Sequence, residues 1–218
     1  MKKYNLAVLP LLFSFCLVHA APEVKQEVVQ LLISKLNSDR IAHFFDSYGV
    51  ETIEVAASPF GEGRIANLYS TLGDEKIMCT LAVVDFKQPV HESLKSVHKE
   101  ICEGQSIGIA LRKNGWLIDK LPVYFGSISL SPELQGWMQE SSSDRAAVHI
   151  YKLHVFKENS EERFHYCTII EVHSPQYLDE KWLQALYPDQ YNDFRANSGE
   201  VDALMGPLNA LIRSFPRK

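Results

Sequence analysis

The chain predicts an α+β fold: an antiparallel sheet of about six strands, built from two β-hairpin-plus-helix halves, with helices packed mainly on one face. Three observations predict it. Apolar residues recur at helical spacing in some segments and alternate, or run continuously, in β-rich ones. Two pairs of β-rich runs are folded back by turn sequences, Gly73-Asp74 and the stretch 158–161. Finally, Ile77-Met78-Cys79-Thr80-Leu81-Ala82-Val83-Val84 echoes His165-Tyr166-Cys167-Thr168-Ile169-Ile170-Glu171-Val172, and each copy closes a hairpin and leads through a proline into a helix. Two such halves make a single sheet covered by helices.

The elements follow in order. Val24, Val28, Leu31, Leu32 and Leu36 share one helical face, which predicts a helix over 23–36. Ser38 is a candidate N-cap for a second helix whose apolar face is Ile41, Phe44, Phe45 and Tyr48, with Gly49 as its stop. A strand is expected over 50–57 and a loop over 59–63, followed by a hairpin of 64–72 and 75–86 around Gly73-Asp74. After Pro89, Val90, Leu94, Val97 and Ile101 mark a helix; Ser106 opens another over 107–113, closed by Asn114-Gly115. The run 116–130 is β-rich, and Pro122 within it implies a bulge or an edge position. Ser131-Pro132 begins a helix through Leu134, Trp137 and Met138, with proline at its first position. A second hairpin spans 147–157 and 162–173, and Pro175 ends it. Leu178, Trp182, Ala185 and Leu186 read as helical, 187–194 as a helix–helix connection, and 199–213 as a last helix. The pseudo-repeat halves are about 38–140 and 145–218.

Composition bounds the function. The 218 residues carry 22 Lys and Arg against 27 Asp and Glu, a net charge of −5, with no cluster of basic residues, which argues against nucleic-acid binding. A hydrophobic content of 46% with 22% charged residues excludes wholesale disorder. Residues 1–20 have the layout of a secretory signal: Lys2 and Lys3, an apolar run over 6–18 interrupted only by Pro10 and Ser14, then Val18-His19-Ala20 before Ala21-Pro22. That run is too short to cross a bilayer core of about 30 Å. Cleavage after Ala20 leaves one α+β domain over 21–218, periplasmic or secreted and without a membrane anchor.

An oxidising compartment makes one disulfide among Cys79, Cys102 and Cys167 the expectation. Cys79–Cys102, closing a strand onto the following helix, is preferred to Cys79–Cys167. The spare thiol is then a buried structural cysteine or a reactive nucleophile.

Chemistry concentrates on the last long strand. Its even positions, Phe164, Tyr166, Thr168, Ile170 and Val172, are mostly apolar and are expected to face the main core. Its odd positions carry His165, Cys167, Glu171 and His173, either a functional constellation or the solvated face of an antiparallel sheet. His165 and His173 lie roughly 26 Å apart along an extended strand, too far to share an ion. No metal site or cofactor is therefore expected. A Cys167–His165 nucleophilic pair is conceivable but carries no family signature, and no nucleophile elbow, phosphate loop or His-Glu-x-x-His is present.

The order of elements over roughly 38–178 resembles the chorismate lyase/UTRA superfamily. The patches that carry the resemblance are Ser106-Ile107-Gly108, Phe125-Gly126 and Glu171-Val172-His173-Ser174-Pro175. It implies an antiparallel sheet with helices on one side and a small-ligand pocket under helical flaps. It also implies a ligand-holding glutamate near the end of the last long strand, a position that Glu171 matches. The lyases carry an arginine on the earlier strand of the pair. Here 75–86 contains none, and Leu81 or Val83 falls at that position. A UTRA-like regulator would carry a DNA-binding helix-turn-helix ahead of this domain, and residues 1–37 are not expected to form one.

Two functional readings follow. In the first, the protein is an exported small-ligand binder without catalysis. Glu171 orients a polar or carboxylate ligand, with His173, His165 or Arg112 nearby. In the second, it is an envelope or secreted interaction protein whose aromatics Trp137, Tyr187 and Tyr191 meet a protein partner.

Overall fold

The computed structural model describes residues 23–58, 61–139 and 143–195. The predicted signal over 1–20 and the helix over 199–213 lie outside them. The elements run α1 (Gln26–Leu32), α2 (Asn37–Phe45), β1 (Gly49–Ser58), β2 (Gly61–Leu72), β3 (Glu75–Phe86), α3 (Lys95–Cys102), α4 (Ile107–Lys113), β4 (Leu117–Ser129), α5 (Pro132–Met138), β5 (Arg145–Phe156), β6 (Phe164–His173), α6 (Glu180–Leu186) and α7 (Pro188–Arg195). The six strands form one open antiparallel sheet in the order β1-β2-β3-β6-β5-β4. The protein has an α+β fold.

Two three-stranded meanders, β1–β3 and β4–β6, meet along the β3–β6 seam, where Thr80 to Phe86 pair with His173 to Cys167. β4 pairs with β5, so it belongs spatially to the second meander, although the sequence places it before residue 140. The β2–β3 hairpin turns on Gly73 at φ +61°, a conformation that suits the first central position of a two-residue turn. Pro122 meets both expectations at once: β4 is an edge strand, and its pairing with β5 shifts register between Pro122 and Tyr124.

Helix ends follow local chemistry. Ser131 Oγ accepts from the Leu134 amide, and Pro132 occupies the first turn of α5. Asp179 caps α6 through the Trp182 amide. α1 is shorter than its periodicity suggests, because the buried Arg40 takes the Leu32 and Ile33 carbonyls through Nε and Nη2 and holds the chain in a turn there. α2 begins at Asn37 and ends where Asp46 enters the left-handed region at φ 60°. Gly49 instead opens β1, where the Tyr69 ring leaves no room for a Cβ. The 187–194 stretch is mostly helical, as α7.

The sheet is covered on both faces. On one, α5 packs Leu134 and Met138 over Ile65, Leu81, Val83, Val148, Ile150 and Val172. On the other lie the remaining six α-helices among the described residues. α3 and α4 cover Val84, Phe86, Leu153 and Ile169, while α1, α2, α6 and α7 cover Phe125 and Ala147. The even-numbered Ile170 and Val172 therefore face the single helix α5, and the odd-numbered Cys167, Ile169, Glu171 and His173 face the larger helical layer. The expectation that the even positions meet the main core holds for Phe164 and Tyr166, which pack in the cluster under α3 and α4, and is corrected for Ile170 and Val172: alternation shows that a strand has two faces, whereas the number of helices on each face decides which core is larger.

Candidate functional site

One register row crosses all six strands on the helix-rich face: Thr52, Ala66, Ala82, Glu171, His149 and Phe125. Large rings fill the β4–β5 end of this row. On β2 and β3 only the methyl groups of Ala66 and Ala82 rise from the sheet, so a hollow of about 70 Å³ remains beneath the helices. Its floor is Ala66, Ala82, Val84 and Ile169, and its walls carry Arg64, Glu171, Tyr151 and Lys120. Its roof is the start of α2 (Leu36, Asn37, Ser38) and the start of α4 (Ser106, Ile107, Gly108). That space exceeds the roughly 10–15 Å³ that admits one water.

Glu171 is 4% exposed. Tyr151 donates its hydroxyl proton to Glu171 Oε1 at 3.1 Å, and burial, reinforced by Glu171, raises the Tyr151 phenol well above its ordinary value, so it stays a donor. His149 Nδ1 and His173 Nε2 each lie 4.0 Å from Glu171 Oε2. His173 Nδ1 and Thr80 Oγ1 are hydrogen-bonded at 2.9 Å. Asn37 Nδ2 donates to the same Thr80 oxygen at 3.1 Å, and Tyr177 donates to Asn37 Oδ1 at 2.6 Å. This chain ties the roof residue Asn37 to the strand that bears Glu171. Burial drives the His173 pKa down to about 4, with Arg40 and Lys120 adding to the effect and Glu171 opposing it. Burial also lowers His149 well below the usual range; it is stacked on Phe125 at 4.3 Å, and neither ring nitrogen has a hydrogen-bond partner. Among the described residues, no group of three His, Cys, Asp or Glu has the arrangement of a metal site.

Of the four ligand residues expected from the sequence, Glu171 lines the cavity and His173 stands directly behind it. The other two do not join them. His165 stacks on the cross-strand His154 at 5.3 Å near the far end of β6, beside the register shift between Leu153 and His154. Arg112 is exposed on α4, and its Nη1 and Nη2 donate to the two carboxylate oxygens of Asp39 at 3.1 and 3.2 Å. It thus clips α4 to α2 outside the cavity. Gly108 permits that approach, because a Cβ there would collide with Leu36 Cδ1.

The cysteine pairing is also corrected. Cys79, Cys102 and Cys167 are all free thiols. Cys79 sits in the cluster beneath α1 and α6, whereas Cys102 belongs to α3, which covers the opposite end of the seam. Cys167 pairs with Phe86, seven positions along β3 from Cys79, or roughly 23 Å at strand rise. A Cys167–His165 nucleophile is not formed, since Cys167 is 0% exposed and His165 faces His154. The aromatic surface expected for a protein partner is not an exposed one either. Tyr191 is 1% exposed, and Tyr187 and Trp137 are half-buried against the core.

Several cavity residues escaped the sequence reading. Arg64 on β2 projects from the position paired with Val84 and is 2% exposed. Its Nη1 donates to the Ile101 and Gln105 carbonyls at 3.2 and 2.6 Å, while its Nε has no partner. Lys120 on β4 lies 4.4 Å over the Tyr151 ring. Tyr48 contacts Ser106, and burial raises its phenol pKa. The available signal was a basic residue inside each β-rich run, with Arg64 two positions before Ala66 and so on the same face of β2. Neither a protein-family model nor a curated protein matches the sequence.

Proposed function

We propose that this protein is exported and binds a small polar ligand without turning it over, in a chorismate-lyase-like fold. The ligand presents an anionic group, such as a carboxylate, to Arg64 and Lys120 and a hydroxyl to Glu171. The observation that carries this reading is the pairing of a buried carboxyl side chain with an arginine whose Nε is orphaned, across a hollow floored by two alanines. A buried cation with unused hydrogen-bonding capacity gains most from an anionic partner. Arg64 occupies the strand next to the one on which the resemblance places its arginine, so the counter-charge reaches the same hollow from a different position. Among the described residues, the cavity lining contains neither histidine nor cysteine, which favours binding over nucleophilic chemistry. Ser38, Ser106 and Asn37 supply the few further polar groups of a selective pocket.

Thermal-shift titration against small hydroxy acids and aromatic carboxylates, 4-hydroxybenzoate among them, tests the reading. At least one hydroxy acid raises the wild-type Tm in a concentration-dependent way, and Glu171→Gln weakens that ligand by about tenfold or more, a loss of about 1.4 kcal/mol. A panel without any shift, or equal binding by Glu171→Gln, overturns it.

A further inference from the structure

We infer that Cys102 is a nucleophilic thiol and a site of modification by low-molecular-weight disulfides, with His98 as its proton acceptor. The two residues are four apart on α3 and therefore share one face of the helix. Cys102 Sγ lies 3.5 Å from His98 Nε2, and the other ring nitrogen, Nδ1, lies 2.9 Å from the Tyr166 hydroxyl. Phe86 fixes the imidazole edge-on at 4.8 Å, with an interplanar angle of 85°. Nucleophile, base and a third group orienting the base thus stand in line, the arrangement that activates a thiol. Tyr166 is 2% exposed and burial raises its phenol far above neutrality, so it remains a neutral hydroxyl able to accept from the imidazolium Nδ1–H. Arg64, whose guanidinium binds the carbonyls at the end of α3, adds positive charge near the sulfur.

The other two described thiols provide the contrast. Cys79 and Cys167 are 0% exposed, and burial pushes Cys79 up to about 12 and Cys167 well above its ordinary value. Cys102 is partly exposed and faces a base. In the reaction, the Cys102 proton passes to His98 Nε2 and the thiolate attacks one sulfur of the disulfide. A Cys102 mixed disulfide forms, the disulfide bond of the reagent breaks, and the second sulfur departs as a thiolate that His98 can reprotonate. No external oxidant is needed beyond the disulfide itself.

The test treats the folded protein with oxidised glutathione and with iodoacetamide, and maps the modified cysteines by mass spectrometry across pH 5.5–9.5. Cys102 reacts first with both reagents, and Cys79 and Cys167 react only after denaturation. His98→Gln, which cannot take up the proton, slows Cys102 at pH 7 by about tenfold and moves its rate midpoint up toward the ordinary thiol value of about 8.5. Tyr166→Phe keeps the ring and removes the hydroxyl, so it shifts the midpoint in the same direction by less. Continued protection of Cys79 and Cys167 in each variant reports that the fold is intact. Modification of Cys79 or Cys167 at a rate equal to Cys102 in the wild type overturns the inference. So does an unchanged rate and midpoint in a folded His98→Gln.

Discussion

At the scale of the residue, Glu171 and its two histidine neighbours explain both the site and a cost. Each imidazole is held neutral by burial, and His149 places two nitrogens among aromatic rings with no partner. In the unfolded chain both would take up a proton near pH 6.5. Their folded pKa values are lowered, so the unfolded state binds more protons as the pH falls below that value. Stability is accordingly full above about pH 6.5 and declines on acidification toward the folded value of about 4 for His173. His173 alone accounts for a change on the order of 3 kcal/mol across that window. Urea denaturation between pH 7 and pH 4.5 checks this. His149→Phe, which keeps a flat ring between Phe125 and Tyr151, removes one of the two titrating groups and flattens the slope, with a change within about 1 kcal/mol at pH 7. An unchanged slope would place the acid sensitivity elsewhere.

At the scale of the element, the cavity is a product of how α2 and α4 meet. Both helices direct their first turns over the sheet, Gly108 lets them approach, and Asp39 and Arg112 close the contact. The two side chains are 34% and 47% exposed, which limits this pair to about 1 kcal/mol or less of global stability. Its consequence is local. Asp39→Asn leaves the unfolding midpoint nearly unchanged but raises amide hydrogen exchange in the first turn of α4 severalfold, by releasing one side of the roof. Equal protection in wild type and variant would show that packing alone holds the roof.

The elements were the most legible part of the sequence, for physical reasons. Gly73-Asp74, Pro122 and Ser131-Pro132 each act within a few residues of themselves, and the structure uses all three as the local chemistry suggests. The site was legible only in part. Glu171 stood out because it shares one face of its strand with His165, Cys167 and His173 and matches the glutamate that the resemblance implies. Arg64 and Lys120 interrupt β-rich runs, yet their convergence on Glu171 depends on strand order, and no local signal sets β3 beside β6. Arg112 misled for the opposite reason: its proximity in sequence to Ser106-Ile107-Gly108 conceals that the helix turns it outward to Asp39. The echo between Cys79 and Cys167 suggested equivalence, but antiparallel pairing of the two strands carries those cysteines to opposite ends of the seam.

At the scale of the whole molecule, the hollow belongs to the join between two meanders. Ala66 and Ala82 come from the first and Glu171 from the second, with Ala82 directly paired to Glu171 across the seam. Large side chains at those two positions would complete the helix-facing core. Small ones leave space under α2 and α4, at the loss of packing contacts that a filled core would make. The proposed ligand site accounts for alanines at these two positions. The most direct test is calorimetric titration of Ala82→Leu beside wild type, using whichever hydroxy acid of the thermal-shift panel binds. The account predicts a folded variant with a Tm at or above wild type and no measurable binding, because the leucine side chain occupies the ligand's place. A folded Ala82→Leu that binds as wild type does, or a variant that loses its fold because there was no space to fill, would contradict it.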